Sequence, residues 1–165
     1  AGCGEGRNLV YFIHNGYDVY GVDANASAIK MTRLQAVGYE PERFINTTVE
    51  DMIFPPEVFD YIICIAVLHF AKSHEHFHKM MESLLKVLKP GGTLFIRVAT
   101  DVGLYMDVSE QGIATLPDGS PERYIFRMDR LEAFLEKYEL ELVEPAKSVA
   151  VHKLRSMSVF VLRKK

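Results

Sequence analysis

Gly2-Cys3-Gly4-Glu5-Gly6 opens the chain and leads straight into Arg7-Asn8-Leu9. Three glycines at alternate positions describe a tight turn. Without side chains, such a turn brings backbone amides close to a ligand, and the start of a helix attracts negative groups. The spacing narrows the choice of ligand. A G-x-G-x-x-G dinucleotide fingerprint starting at Gly2 needs glycine at position 7, where Arg7 stands. The third glycine comes one residue early, and a tighter loop suits a ligand without a pyrophosphate.

Apolar runs of strand length alternate with helix-period segments outward from this turn. That alternation is the mark of an α/β fold with a parallel sheet. The pattern predicts a helix over 7–15, with Leu9, Phe12 and Ile13 on its apolar face and Gly16 as its left-handed stop. A strand over 18–22 ends at Asp23. A helix over 26–37 is capped by Asn25 and stopped by Gly38. Further strands cover 43–49 and 59–66, the latter a continuous apolar run expected of a strand covered on both faces. Ser73 caps a helix to Leu88 whose Phe77, Met80, Met81, Leu84 and Leu88 face the sheet. Pro90-Gly91-Gly92 breaks it, and 93–98 forms the next strand.

Residues 101–127 are turn-rich and longer than an ordinary connection, as in a functional loop or lid. Asp129 and Glu132 have the spacing of a capping box for a helix to Tyr138. Strands over 141–152 and 157–162 then form an antiparallel hairpin through Lys153–Arg155. Arg163-Lys164-Lys165 reads as a charged, frayed end.

Composition sets outer bounds. The 165 residues suffice for one core, and 48% of them are hydrophobic. No apolar run approaches the ~20 residues of a membrane-spanning helix. No secretory leader is recognisable, and Cys3 and Cys64 do not form a disulfide framework, so a cytoplasmic setting is expected. A net charge of −3 argues against a large nucleic-acid footprint.

Five stretches stand in a telling order: GCGEGRN, GVDAN, VEDM, FDYIICIAVLHF and LKPGG. Together they resemble the motifs of the class I S-adenosylmethionine-dependent methyltransferases over nearly all of residues 1–100. The style is closest to bacterial small-molecule methyltransferases, including the tellurite-resistance type. The resemblance implies a Rossmann-like sheet, mostly parallel with a C-terminal antiparallel hairpin and helices on both faces. It also implies S-adenosylmethionine as cofactor, S-adenosylhomocysteine as product, and a small-molecule methyl acceptor, in a monomer or homodimer.

Carried over position by position, Gly2, Cys3, Gly4 and Gly6 form the loop under the methionine part of the cofactor. Asp23 matches the acid that accepts the ribose hydroxyls, and Ala24 and Asn25 match positions lining the adenine. Asp51 matches the acid that receives the adenine amine, with the Met52 backbone nearby. Ile65, Ala66 and Val67 match the stretch beside the methionine and reactive methyl. Such families place a strand before the glycine loop, so residues 1–165 read as a single methyltransferase domain lacking its first strand and a preceding segment.

Other residues carry two readings. His69, just past the apolar strand, is either the catalytic base or a structural histidine packed on Phe70. Cys3 is a small spacer and not a nucleophile, since nothing nearby lowers its pKa. His74 and His78 share a helix face but lack partners for a metal site, and no metal is expected. Tyr105, Arg123, Tyr124 and Arg127 either line the acceptor pocket, the arginines meeting an acidic group, or form a solvated loop face. Three rival functions remain. FDYIICIAVLHF also resembles tRNA wobble-uridine methyltransferases; a cofactor-binding module without catalysis would show a degraded loop; a dinucleotide-dependent oxidoreductase is disfavoured by Arg7.

Overall fold

The computed structural model describes residues 1–116 and 118–165. Pro117, inside the segment read as a lid, lies outside the described residues. The chain forms two compact units, Ala1–Ile53 and Phe54–Lys165.

The first unit contains β1 (Gly21–Asp23) and β2 (Phe44–Asn46), paired in parallel with Asp23 opposite Asn46. Helices α1 (Val10–His14) and α2 (Ala26–Gln35) accompany them. Cys3, Val19, Ile29, Ala36 and Phe44 make its buried cluster, with Leu9, Phe12 and Ile13 packed against it as the apolar spacing requires. Asn25 caps α2 by accepting from the Ser27 and Ala28 amides. Every element is shorter than its expected span. α1 starts at Val10 and not Arg7, because the backbone before it is spent on turns, Gly6 N–H to Cys3 O and Leu9 N–H to Gly6 O. α2 stops at Gln35, and Val37 is exposed. β2 is three residues long and not seven, since beyond Asn46 the chain turns toward Asp51.

The second unit is built on a five-stranded sheet of order β3-β4-β9-β7, with β8 also on β9. Its strands are β3 (Phe59–Ile65), β4 (Leu88–Ala99), β7 (Leu140–Leu142), β8 (Lys147–Val151) and β9 (Arg155–Lys164); β5 (Ile113–Ala114) and β6 (Arg123–Tyr124) form a separate hairpin. β3 and β4 are parallel, and β9 runs antiparallel to β4, β7 and β8. Helix α3 (His74–Val87), capped by Ser73 as expected, buries Phe77, Met80, Met81, Leu84, Leu85 and Val87. Helix α4 (Leu131–Lys137) adds Phe134, which packs edge-on against Phe126 at 5.2 Å.

The structure departs from the sequence pattern at several points. β3 is not covered on both faces: Ile62 and Cys64 are buried while Tyr61 is exposed. Leu88 is the first residue of β4 and not part of α3. Pro90-Gly91-Gly92 is a bulge inside β4. Phe59 pairs with Leu88 and Tyr61 with Thr93, so Asp60 alone stands opposite four residues, and Lys89 bonds it at 2.7 Å. The Asp129 capping box does not form: Asp129 is held by Arg127, and Arg130 caps α4 with no side-chain bond. The long strand expected over 141–152 is two strands, both laid on β9. The segment 101–127 is not wholly irregular, since it holds the β5–β6 hairpin.

The C-terminus is not frayed. β9 runs to Lys164, whose ammonium donates to the carbonyls of Leu85 and Leu88 at 2.9 and 3.0 Å. Those carbonyls close α3, where a cation both satisfies acceptors and meets the negative end of the helix dipole. Inside the sheet, Thr100 and Ser158 hydroxyls are 2.7 Å apart, as are Ser158 and Ser148, so these polar groups satisfy one another. Among the described residues no helix is long and apolar enough to cross a membrane.

Candidate active site

The glycine turn is held from three directions. Cys3 N–H donates to Val22 O at 2.9 Å, stitching the turn onto β1. Gly4 N–H donates to Asp23 Oδ2 at 2.7 Å. The Gly4 carbonyl accepts from Thr32 Oγ1 at 2.8 Å. Gly2, Gly4 and Gly6 all have left-handed φ, at 66°, 56° and 90°, a region glycine enters without the cost a Cβ imposes. At Gly6 a Cβ would also sit 3.2 Å from Thr32 Cγ2. Thr32 is 1% exposed and was not among the residues the sequence singled out. Its signal was a polar residue in register with the buried Ala28 and Ile29 of α2.

Asp23 organises the end of β1. Its second oxygen, Oδ1, accepts from Asn25 N–H at 2.8 Å. Its carbonyl accepts from Thr47 N–H at 3.1 Å and Asn46 Nδ2 at 2.9 Å. Thr47 Oγ1 in turn donates to the Asp51 carbonyl at 3.4 Å, and Thr48 Oγ1 to Asp51 Oδ2 at 2.8 Å. Hydrogen bonds thus link the glycine turn, Asp23, Asn25 and the exposed Asp51 within the first unit. Ala24 is exposed and Met52 half-buried beside Asp51. Cys3 is buried and its thiol is pushed up by desolvation, which agrees with a spacer and not a nucleophile.

In the second unit the chain leaves β3 through Ile65, Ala66 and Val67, all half-buried. Ala66 has φ +59°, a left-handed conformation uncommon for a residue with a Cβ. Such local strain persists only where surroundings impose it. Here Ala66 N–H donates to Arg97 O at 2.8 Å. A single 3₁₀ turn, Leu68–Phe70, follows and carries His69.

His69 packs edge-on against Phe70, ring centroids 4.7 Å apart, and the Arg123 guanidinium lies 4.8 Å from the Phe70 centroid. The His69 Nδ1 atom is buried with no hydrogen-bond partner. Burial, then Arg123 and Arg97, push the imidazole down to about 4. Arg97 escaped the sequence reading; its signal was one cation in the apolar run Leu94-Phe95-Ile96-Arg97-Val98.

The remaining acceptor candidates separate. Tyr124 is 4% exposed; its ring stacks on Phe77 at 4.6 Å and its hydroxyl meets His74 Nδ1 at 2.9 Å. Arg127 is tied to Asp129 at 2.6 Å, and Tyr105 is 92% exposed. Of the four, only Arg123 stands with His69. His74 and His78, weighed as metal ligands, bond Tyr124 and Tyr138 instead.

A family model described as a methyltransferase domain matches residues 1–96. The ubiquinone biosynthesis O-methyltransferase of Chelativorans sp. (strain BNC1) is 30% identical over 145 residues, 81% of this chain and 54% of that protein. The chain therefore spans about half the length of this curated relative. A solved S-adenosylmethionine-dependent methyltransferase from Methanosarcina mazei superposes with a TM-score of 0.78 at 19% identity, covering 99% of this chain and 89% of that one. The 1,6-didemethyltoxoflavin-N1-methyltransferase of Burkholderia thailandensis, solved with 1,6-didemethyltoxoflavin and S-adenosylhomocysteine, gives 0.71 at 19% identity, covering 100% and 69%. At these identities the structural likeness establishes the fold, a Rossmann-like α/β sheet. With the family match running from the glycine turn through β3 and into β4, the chain belongs to the methyltransferase domain family, within the class I S-adenosylmethionine-dependent methyltransferases.

Proposed function

We propose that this domain transfers a methyl group from S-adenosylmethionine to a small-molecule acceptor. The observation that carries the reading is the Asp23 carboxylate, held by the Gly4 and Asn25 amides at the end of β1. A carboxylate offers about four lone-pair directions. Two are taken, one on each oxygen, and two remain for a pair of ribose hydroxyls. Asp51 keeps Oδ1 for the adenine amine while Thr48 holds Oδ2. The open backbone of Gly2–Gly6 would hold the methionine portion. Ala24, Asn25 and Met52 would flank the adenine.

The cofactor's sulfonium supplies the activated methyl group. The protein contributes position and a dry surround. An acceptor heteroatom that would take the methyl group carries a proton that has to leave. We place His69 at that proton, as a neutral imidazole whose Nε2, unlike the enclosed Nδ1, can accept a hydrogen bond from the acceptor. The curated relative is named an O-methyltransferase, which favours an oxygen acceptor. The chain's net charge of −3 favours a small molecule over RNA.

Thermal shift with S-adenosylhomocysteine, NAD and RNA tests the reading. S-adenosylhomocysteine at a hundred times its Kd should stabilise by about 2.7 kcal/mol through linkage. A shift with NAD and none with S-adenosylhomocysteine would overturn it.

A further inference from the structure

We propose that the methyl acceptor carries a carboxylate or a comparably acidic oxygen, bound by Arg97 and Arg123 beside His69. This rests on the small-molecule reading above and names its substrate class.

The arginines are placed to receive an anion. Arg123, on β6, uses Nη1 to donate to the carbonyls of Pro121 and Glu122 at 3.2 and 2.9 Å. Among the described residues its Nε and Nη2 make no hydrogen bond. Lying against Phe70 leaves the donor edge of the guanidinium available, and that planar fork matches a carboxylate. Arg97, near the carboxyl end of β4, is the exposed residue between buried Ile96 and Val98. It pairs across the sheet with Ile65, the last residue of β3. Its guanidinium makes no ion pair or hydrogen bond among the described residues. Asp118 is close enough to feel Arg123, but its carboxylate accepts from Ser120 N–H at 2.9 Å.

Beside these residues lies the His69 imidazole, whose Nδ1 is enclosed without a partner. Arg123 lies over Phe70, whose ring packs on His69, and the Arg97 carbonyl accepts from Ala66 N–H three residues before His69, so the three residues share one neighbourhood. Two cations beside a neutral imidazole form an arrangement that an anion completes. One anionic oxygen meets the guanidinium fork, and a neighbouring hydroxyl donates to His69 Nε2, the ring nitrogen that is not enclosed. The chemistry is consistent: so weak a base can relieve only an already acidic hydroxyl of its proton, and the arginines lower that hydroxyl's pKa.

The test uses protein labelled with ¹⁵N at histidine and saturated with S-adenosylhomocysteine. His69→Gln identifies the His69 resonances. The probes are salicylate against salicylamide and phenylacetate against phenylacetamide. The acids should move the His69 nitrogens and raise its pKa, and the amides should not. Arg97→Gln and Arg123→Gln should each weaken acid binding about tenfold, as expected for losing a hydrogen bond to a charged group. Arg97 is exposed, so its variant decides the matter even where Arg123→Gln loosens β6. Amides binding as well as acids, or neither set moving His69, overturns the proposal. Failure of S-adenosylhomocysteine itself to bind counts against the methyl-transfer reading and leaves the acid–amide comparison to judge the subsite.

Discussion

The Asp23 carboxylate accepts the Gly4 amide at 2.7 Å, so the acid at the end of β1 and the glycine turn are one mechanical unit. Removing either partner disturbs both. Asp23 is half-buried, and hydrogen bonds to charged groups are worth ~1.5–3 kcal/mol.

Asp23→Ala should therefore abolish S-adenosylmethionine binding measurable by calorimetry, while Asp23→Asn should retain part of the fold stability but little affinity. Unchanged affinity in the alanine variant would remove Asp23 from the ribose site.

Gly6→Ala should destabilise the protein by about 1–3 kcal/mol, because φ +90° is strained for alanine and its Cβ would press on Thr32. Thr32→Val should cost a similar amount by leaving the Gly4 carbonyl without its donor. Chemical denaturation of each variant checks both, and the double variant should fall short of the sum because the residues touch.

His69 makes stability depend on pH in a defined direction. Its folded pKa, about 4, lies below the unfolded value near 6.5, chiefly through burial and then through Arg123 and Arg97. Between these values the unfolded chain binds more protons. The stabilisation is thus present above pH 6.5 and is lost as pH falls toward 4, by about 3 kcal/mol at most. His69→Gln should flatten this part of the profile. His69→Ala should also lower turnover more than cofactor affinity; equal turnover in both proteins would exclude the proton-accepting role.

Gly112→Ala should dismantle the β5–β6 hairpin. Its φ is +81°, and a Cβ there would stand 2.6 Å from Tyr124 Cε2 and 2.8 Å from His74 Cε1. Overpacking of this kind costs ~1–3 kcal/mol or more. Hydrogen exchange should show lost protection at Ile125, whose amide donates to the Gly112 carbonyl.

Local signals were legible because they are written in local chemistry. The Asn25 and Ser73 caps, the left-handed Gly16 and Gly38, and the apolar face of α3 follow from neighbours a few residues away. The Asp129 capping box failed for the same reason in reverse: Arg127, two residues off, offered its carboxylate a charged partner. Pro90-Gly91-Gly92 was recognised as a breaker, but whether it ends a strand or bulges within one depends on β3 pairing on both sides of it.

The sequence by itself determined the glycine turn and the acid at the end of β1, since left-handed φ values and capping geometry favour those residue types at those spacings, and its five ordered motifs carried the resemblance to the family. Tertiary structure alone decided the rest. β9 holds Lys164 at the end of α3, and β6 lays Arg123 against Phe70, through pairings between residues far apart in the chain. The Gly2–Gly6 turn needed only its own order; the neighbourhood of His69 needed Arg97 and Arg123 brought in from β4 and β6.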